Sequence, residues 1–266
     1  MEKTLAFTDL LRLIDERSTA FRTAVAAAPS LDVPVPTCPE WTLLDLVRHL
    51  GEGRRSWAAT VAAGPGATGR CVPEGSPALP GEREALLDWL AASTRELLDA
   101  LEEAGPDRGC WTWWETSQSP RTCGAVARHQ LQEIAVHTYD AQITVGARQP
   151  LPEDVALDGV DEFLSTCCAT TTPWPHKPGP IDFHATEGHS WRLSLDADGA
   201  RPTRIPTPAA PSATAAGEGP DAPAASASGT AHELVLVMYG RLPLDTLRLD
   251  GDRGQIELLQ TWDPTA

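Results

Sequence analysis

His129-Gln130-Leu131-Gln132-Glu133-Ile134-Ala135-Val136-His137-Thr138-Tyr139-Asp140-Ala141-Gln142-Ile143 alternates ionisable and apolar residues with a helical period. At about 100° per residue, His129, Glu133, His137 and Asp140 fall in one row, at spacings of four, four and three. Leu131 and Ile134 flank that row on one side, Val136 and Ile143 on the other. A polar row between apolar walls faces the inside of a helical bundle, because turning it to water would expose the walls.

Burying a carboxylate and two imidazoles without partners costs several kcal/mol, so the row requires pairing or a cation. Side chains at i and i+4 stand one above the other, which lets Glu133 and His137 reach one metal ion. A third ligand must come from another helix. His49 is the candidate, at the edge of the apolar face formed by Leu43, Leu46, Val47, Leu50 and Trp57. Two nitrogens and one oxygen leave an open coordination position, as catalytic zinc sites do; these ligand types equally admit nickel or iron. Asp140 is expected to hold the other ring nitrogen of a ligand. His129, one turn early, is expected beside the ligands rather than on the metal. The competing reading makes Glu133 and His137 an exposed pair and His49 a satisfied histidine at the core edge.

Outward from this helix, placed at 123–145, three more amphipathic helices are expected at 8–28, 42–61 and 82–105. Pro29 closes the first, and Thr42-Leu43-Leu44-Asp45 has the form of a capping box that opens the second. A proline-rich loop, 32–40, separates them. Four such helices make a bundle, residues 1–150. Residues 151–266 read as a smaller α+β domain: a helix at 158–170, strands at 181–187, 191–196 and 247–249, and helices at 231–239 and 255–262. The fold class is therefore α+β. Inside the second domain, 205–229 is almost entirely Ala, Pro, Ser, Thr and Gly, and is expected to be a mobile loop.

Composition excludes several functions. Lysine and arginine total 21 against 37 acidic residues, a formal charge of −16, which disfavours nucleic acid and anionic membranes. No apolar run reaches about 18 residues, and Met1-Glu2-Lys3-Thr4-Leu5 does not begin a signal peptide, so a cytoplasmic protein is expected. Its six cysteines contain no C-x-x-C pair and read as free thiols. Only Lys3 and Lys177 are lysines, which suggests a GC-rich genome. The Trp111, Trp113 and Trp114 cluster reads as packing or as a substrate wall; Trp114 is the member assigned to cofactor binding.

Three stretches resemble the actinobacterial mycothiol-dependent maleylpyruvate isomerase family with its DinB-like metal-binding domain. They are Cys38-Pro39-Glu40-Trp41-Thr42 with Asp45-Leu46-Val47-Arg48-His49-Leu50, then Glu133 through Ala141, and Tyr239-Gly240-Arg241-Leu242-Pro243 followed by Gly251-Asp252. The resemblance implies zinc held by His49, Glu133 and His137, and mycothiol as a thiol cosubstrate acting on a small electrophile. It also implies that Arg241 lies in a cleft and binds an anionic substrate or cofactor group as a catalytic residue; the alternative is a surface arginine capping a helix C-terminus. Two departures stand out: Gln132 where the family often has histidine, and the long 205–229 segment. The expected activity is thiol transfer or cis–trans isomerisation. A thiol-independent metallohydrolase and a non-catalytic binding module are the alternatives.

Overall fold

The computed structural model describes residues 5–206 and 222–263. It divides into two compact units, Met1–Glu115 with Pro120–Leu151, and Thr116–Ser119 with Pro152–Ala266. Helices dominate the first and a sheet the second, an α+β fold. Among the described residues no helix is long and apolar enough to cross a membrane.

The first unit is built from α1 (Phe7–Ala27), α2 (Leu43–Ala63), α3 (Arg83–Ala104) and α4 (Cys123–Thr144). Its principal pairings are α1 with α4 and α2 with α3. Ile14, Phe21, Leu43, Leu46, Leu50, Leu86, Leu97 and Leu131 are buried to 1% exposure or less, and each such side chain stabilises the bundle by roughly 1.5–3 kcal/mol relative to exposure. At Gly51, α2 leaves room for the Trp89 ring of α3. A Cβ there would lie 1.8 Å from the Trp89 ring, so only glycine lets the indole approach α2 this closely.

The proline-rich segment before α2 is not the loop expected. It forms a small antiparallel hairpin, β1 (Pro34–Val35) with β2 (Cys38–Thr42). The hairpin region feeds α2 directly: Leu43 and Leu44 donate their N–H groups to the carbonyls of Val33 and Leu31, each at 2.9 Å. Thr42 and Asp45 close the capping box, so the start of the helix that carries His49 is fixed.

In the second unit α5 (Glu153–Glu162) continues into a widened π-helical turn at Phe163–Cys168. It thus begins five residues before the expected position. A five-stranded sheet follows, with β3 (Gly179–Ala185), β4 (His189–Asp196), β5 (Gly199–Arg204), β6 (Ala225–Gly229) and β7 (Arg248–Gly251) in the order β5-β4-β3-β6-β7. Only β3 and β6 run parallel. Ile181, Phe183, Trp191, Leu193, Ala225 and Ala227 are buried, and α6 (Ala231–Met238) and α7 (Arg253–Thr261) complete the unit.

The expectation of a mobile loop over 205–229 is corrected at its C-terminal end. Residues 207–221 lie outside the described residues, but Ala225–Gly229 is an interior strand hydrogen-bonded on both edges. Its small side chains admit close neighbours: a Cβ on Gly251, where φ is +80°, would stand 2.5 Å from the Ala224 carbonyl.

Candidate metal centre

α4 is buried around most of its circumference, and its ionisable row is half-buried at His129, Glu133 and His137 and fully buried at Asp140. His49 from α2 meets it. Nε2 of His49 lies 3.2 Å from Oε1 of Glu133, the His49 and His137 rings are 5.1 Å apart edge to face, and one ligand atom from each of the three residues falls within 4.8 Å of the others. Donors about 2.1 Å from one ion in a tetrahedral set stand about 3.4 Å apart. The His49–Glu133 pair already has that spacing, and the third donor is within a small side-chain rotation of it. The donor set fits a divalent metal.

Asp140, with no exposed side-chain surface, places Oδ2 2.8 Å from Nδ1 of His137. That carboxylate is itself held by the hairpin. Thr37 donates its hydroxyl to Oδ1 at 2.6 Å and the Cys38 thiol approaches Oδ2 at 3.7 Å. With a carboxylate at Nδ1, the proton resides there and Nε2 of His137 offers its lone pair. Trp41, on the same hairpin, packs its ring 4.9 Å from His49 and 6.1 Å from His137, stacked on the latter. The sequence pattern assigned no chemistry to Thr37, Cys38 or Trp41, although Cys38 and Trp41 belong to the Cys38-Pro39-Glu40-Trp41-Thr42 motif and Thr37 precedes it.

Glu133 accepts a hydrogen bond from the Gln130 amide. Burial opposes its charge, yet the hydrogen bond from His49 and the fields of His129, His49 and His137 prevail and hold its pKa at about 2. Nearby in charge, if not in contact, is Arg54 of α2, which is 2% exposed. Its Nη1 donates to Thr94 at 2.6 Å while Nη2 has no hydrogen-bond partner among the described residues. Burial lowers its pKa to about 10 against the attraction of Glu133.

His129 stands one turn before Glu133 among indoles, its ring 5.2 Å from Trp114, 5.5 Å from Trp113 and 6.5 Å from Trp57. Trp114 is 2% exposed and Trp113 46%, so Trp114 packs the cluster and Trp113 presents it to solvent. None of the six cysteines is in a disulfide; burial pushes Cys110 and Cys168 up to about 12, which removes their nucleophilicity at neutral pH. In the second unit, Arg241 donates Nη1 to the Tyr239 carbonyl at 2.7 Å, at the end of α6.

Residues 11–142 match the family described as the mycothiol maleylpyruvate isomerase N-terminal domain, and residues 154–258 match the MDMPI C-terminal domain. The chain belongs to the mycothiol-dependent maleylpyruvate isomerase family. His49, Glu133 and His137 lie in the first matched region of that family and Arg241 in the second. The fold is similar to that of the crystal structure of the mycothiol-dependent maleylpyruvate isomerase, at 15% identity and a TM-score of 0.56, covering 94% of this chain and 96% of that one. A histidine-to-alanine mutant of the isomerase gives 16% identity and a TM-score of 0.54, with the same coverage. No curated protein sequence matches the chain.

Proposed function

We propose that this protein is a metal-dependent enzyme that uses mycothiol to isomerise, or to S-conjugate, a small electrophile such as maleylpyruvate. The observation that carries the reading is the convergence of His49, Glu133 and His137 from two helices onto one point. Residues 1–150 then form the metal-binding domain and 151–266 its α+β companion, in a cytoplasmic protein. A divalent metal, zinc by family resemblance, would supply Lewis acidity that lowers the pKa of a thiol brought to it.

The chain's own residues account for the rest. Glu133, ionised down to about pH 2, supplies a permanent anionic donor. Asp140 fixes the tautomer and aim of His137, and Trp41 walls one side of the site against water. The thiolate sulfur adds to one alkene carbon of a cis unsaturated keto acid, and the displaced electron pair moves onto the conjugated carbonyl. Rotation about the resulting single bond, return of the pair and expulsion of the thiolate give the trans isomer with the thiol regenerated. Protonation at carbon instead gives the S-conjugate. We assign Arg241 to a carboxylate of the substrate or a polar group of the cofactor, and Trp114 to the indole wall presented through Trp113.

Elemental mass spectrometry of the purified protein and of a His49→Ala/His137→Ala variant tests the centre, followed by mycothiol consumption with maleylpyruvate, enones and epoxides. Near-stoichiometric metal in the parent, little in the variant and thiol-dependent turnover are expected. Equal metal in both would overturn the ligand set. Stoichiometric metal without thiol-dependent turnover would overturn the activity and leave a hydrolase or binding module.

A further inference from the structure

The second unit holds a pocket of about 130 Å³, open to solvent on one side near the exposed Gln260, that none of the chemistry above uses. It lies among the π-helical turn, the sheet, α6 and α7, and its walls include Phe163, Leu234, Met238, Leu247, Ile256 and Trp262. Among the described residues Gln260 is the one side-chain amide on the lining, and its Nε2 is directed to the Val237 carbonyl. No charged side chain among the described residues borders the space. Cys167 and Cys168 do, but burial holds both thiols far above neutral pH, so they offer neutral, weakly polar surface. The cavity is therefore unsuited to the carboxylates and sugar hydroxyls of the proposed reaction.

Two features argue that the space is kept. A π-helical turn displaces Phe163–Cys168 from the tighter path an α-helix would take, and such turns recur at binding sites. α7 forms another wall while burying only Gln255 and Ile256, so it covers the cavity without filling it. Apolar space of this size, lined by aliphatic and aromatic side chains, admits benzene-sized molecules, because the lining atoms lack dispersion partners on one side.

We propose that this cavity is a binding site for a small, neutral, apolar molecule, the size of a monosubstituted benzene or a short alkyl chain. The test is independent of the metal centre. The chain has two methionines, Met1 and Met238, so the full protein labelled with methyl-13C methionine gives one reporter in the cavity and one far away in sequence. Titration with toluene is expected to shift the Met238 methyl resonance saturably while Met1 stays put, and benzoate at equal concentration is expected to move neither. Val237→Phe, which fills the space, should reduce the toluene shift at least tenfold; Leu234→Phe serves if that variant does not fold. No saturable shift of Met238 up to the solubility of toluene would overturn the proposal, as would an equal response to benzoate.

Discussion

Nδ1 of His137 and Oδ2 of Asp140 lie 2.8 Å apart, one turn of α4 from each other, and Asp140 has no exposed side-chain surface. The carboxylate cannot be solvated in place of this contact, so it orients the imidazole permanently. Asp140→Asn keeps the shape and the Thr37 hydroxyl partner but removes the charge. Metal affinity is expected to fall about 10–100-fold, measured by competition with a chromogenic chelator. An unchanged affinity would show that His137 is oriented by packing alone.

Glu133 makes acid stability a readout of the site without metal. Its folded pKa, about 2, lies below the ordinary value of 4.5. The group therefore contributes stability that is present above about pH 4.5 and lost as the pH falls from there toward 2. For metal-stripped protein the advantage over Glu133→Gln is on the order of 2 kcal/mol at pH 6, shrinking through that window. Urea titrations at pH 6 and pH 3 measure it; a gap that does not narrow would contradict the assigned charge.

Gly51 permits the contact between α2 and α3. Alanine gains about 1 kcal/mol of helix propensity, but its Cβ would meet the Trp89 ring at 1.8 Å, and overpacking of this kind costs about 1–3 kcal/mol. Gly51→Ala is expected to lower Tm by several degrees. Adding Trp89→Leu should relieve the clash, so the double variant loses less than the sum of the singles. Additive losses would mean that the two residues do not meet.

The parts of the site that a single helical period dictates were legible in the sequence. Glu133, His137 and Asp140 needed only the i, i+3, i+4 geometry of one helix, and His49 needed the apolar face of another. Thr37 and Trp41 were not legible, because a hairpin about 100 residues away in sequence delivers them to Asp140 and His137, and a two-residue strand such as β1 shows no alternation. β6 was hidden for a related reason. Ala225-Ser226-Ala227-Ser228-Gly229 has weak strand propensity; its place is set by β3 and β7 on either side, and such non-local pairing leaves no local signature. Arg54 was hidden within an apolar helix face, where its charge gave no sign that it would be buried.

Arg241 separates two roles that its sequence position leaves joined. Its Nη1 bond to the Tyr239 carbonyl ties it to the end of α6, which a capping residue would do, while the proposed function assigns it to a substrate carboxylate. Arg241→Gln removes the charge and keeps an amide donor for the carbonyl. If the guanidinium binds the anion, a charge-assisted hydrogen bond worth about 1.5–3 kcal/mol is lost, and kcat/KM for a dianionic substrate falls roughly 10–100-fold. The loss should be much smaller for a neutral enone, and Tm should stay within about 2 °C of the parent because the structural contact survives. If Arg241 only caps α6, the two substrates suffer equally and Tm records the larger part of the change. Steady-state kinetics on both substrates, beside a melting curve, distinguish a guanidinium that reads charge from one that only ends a helix.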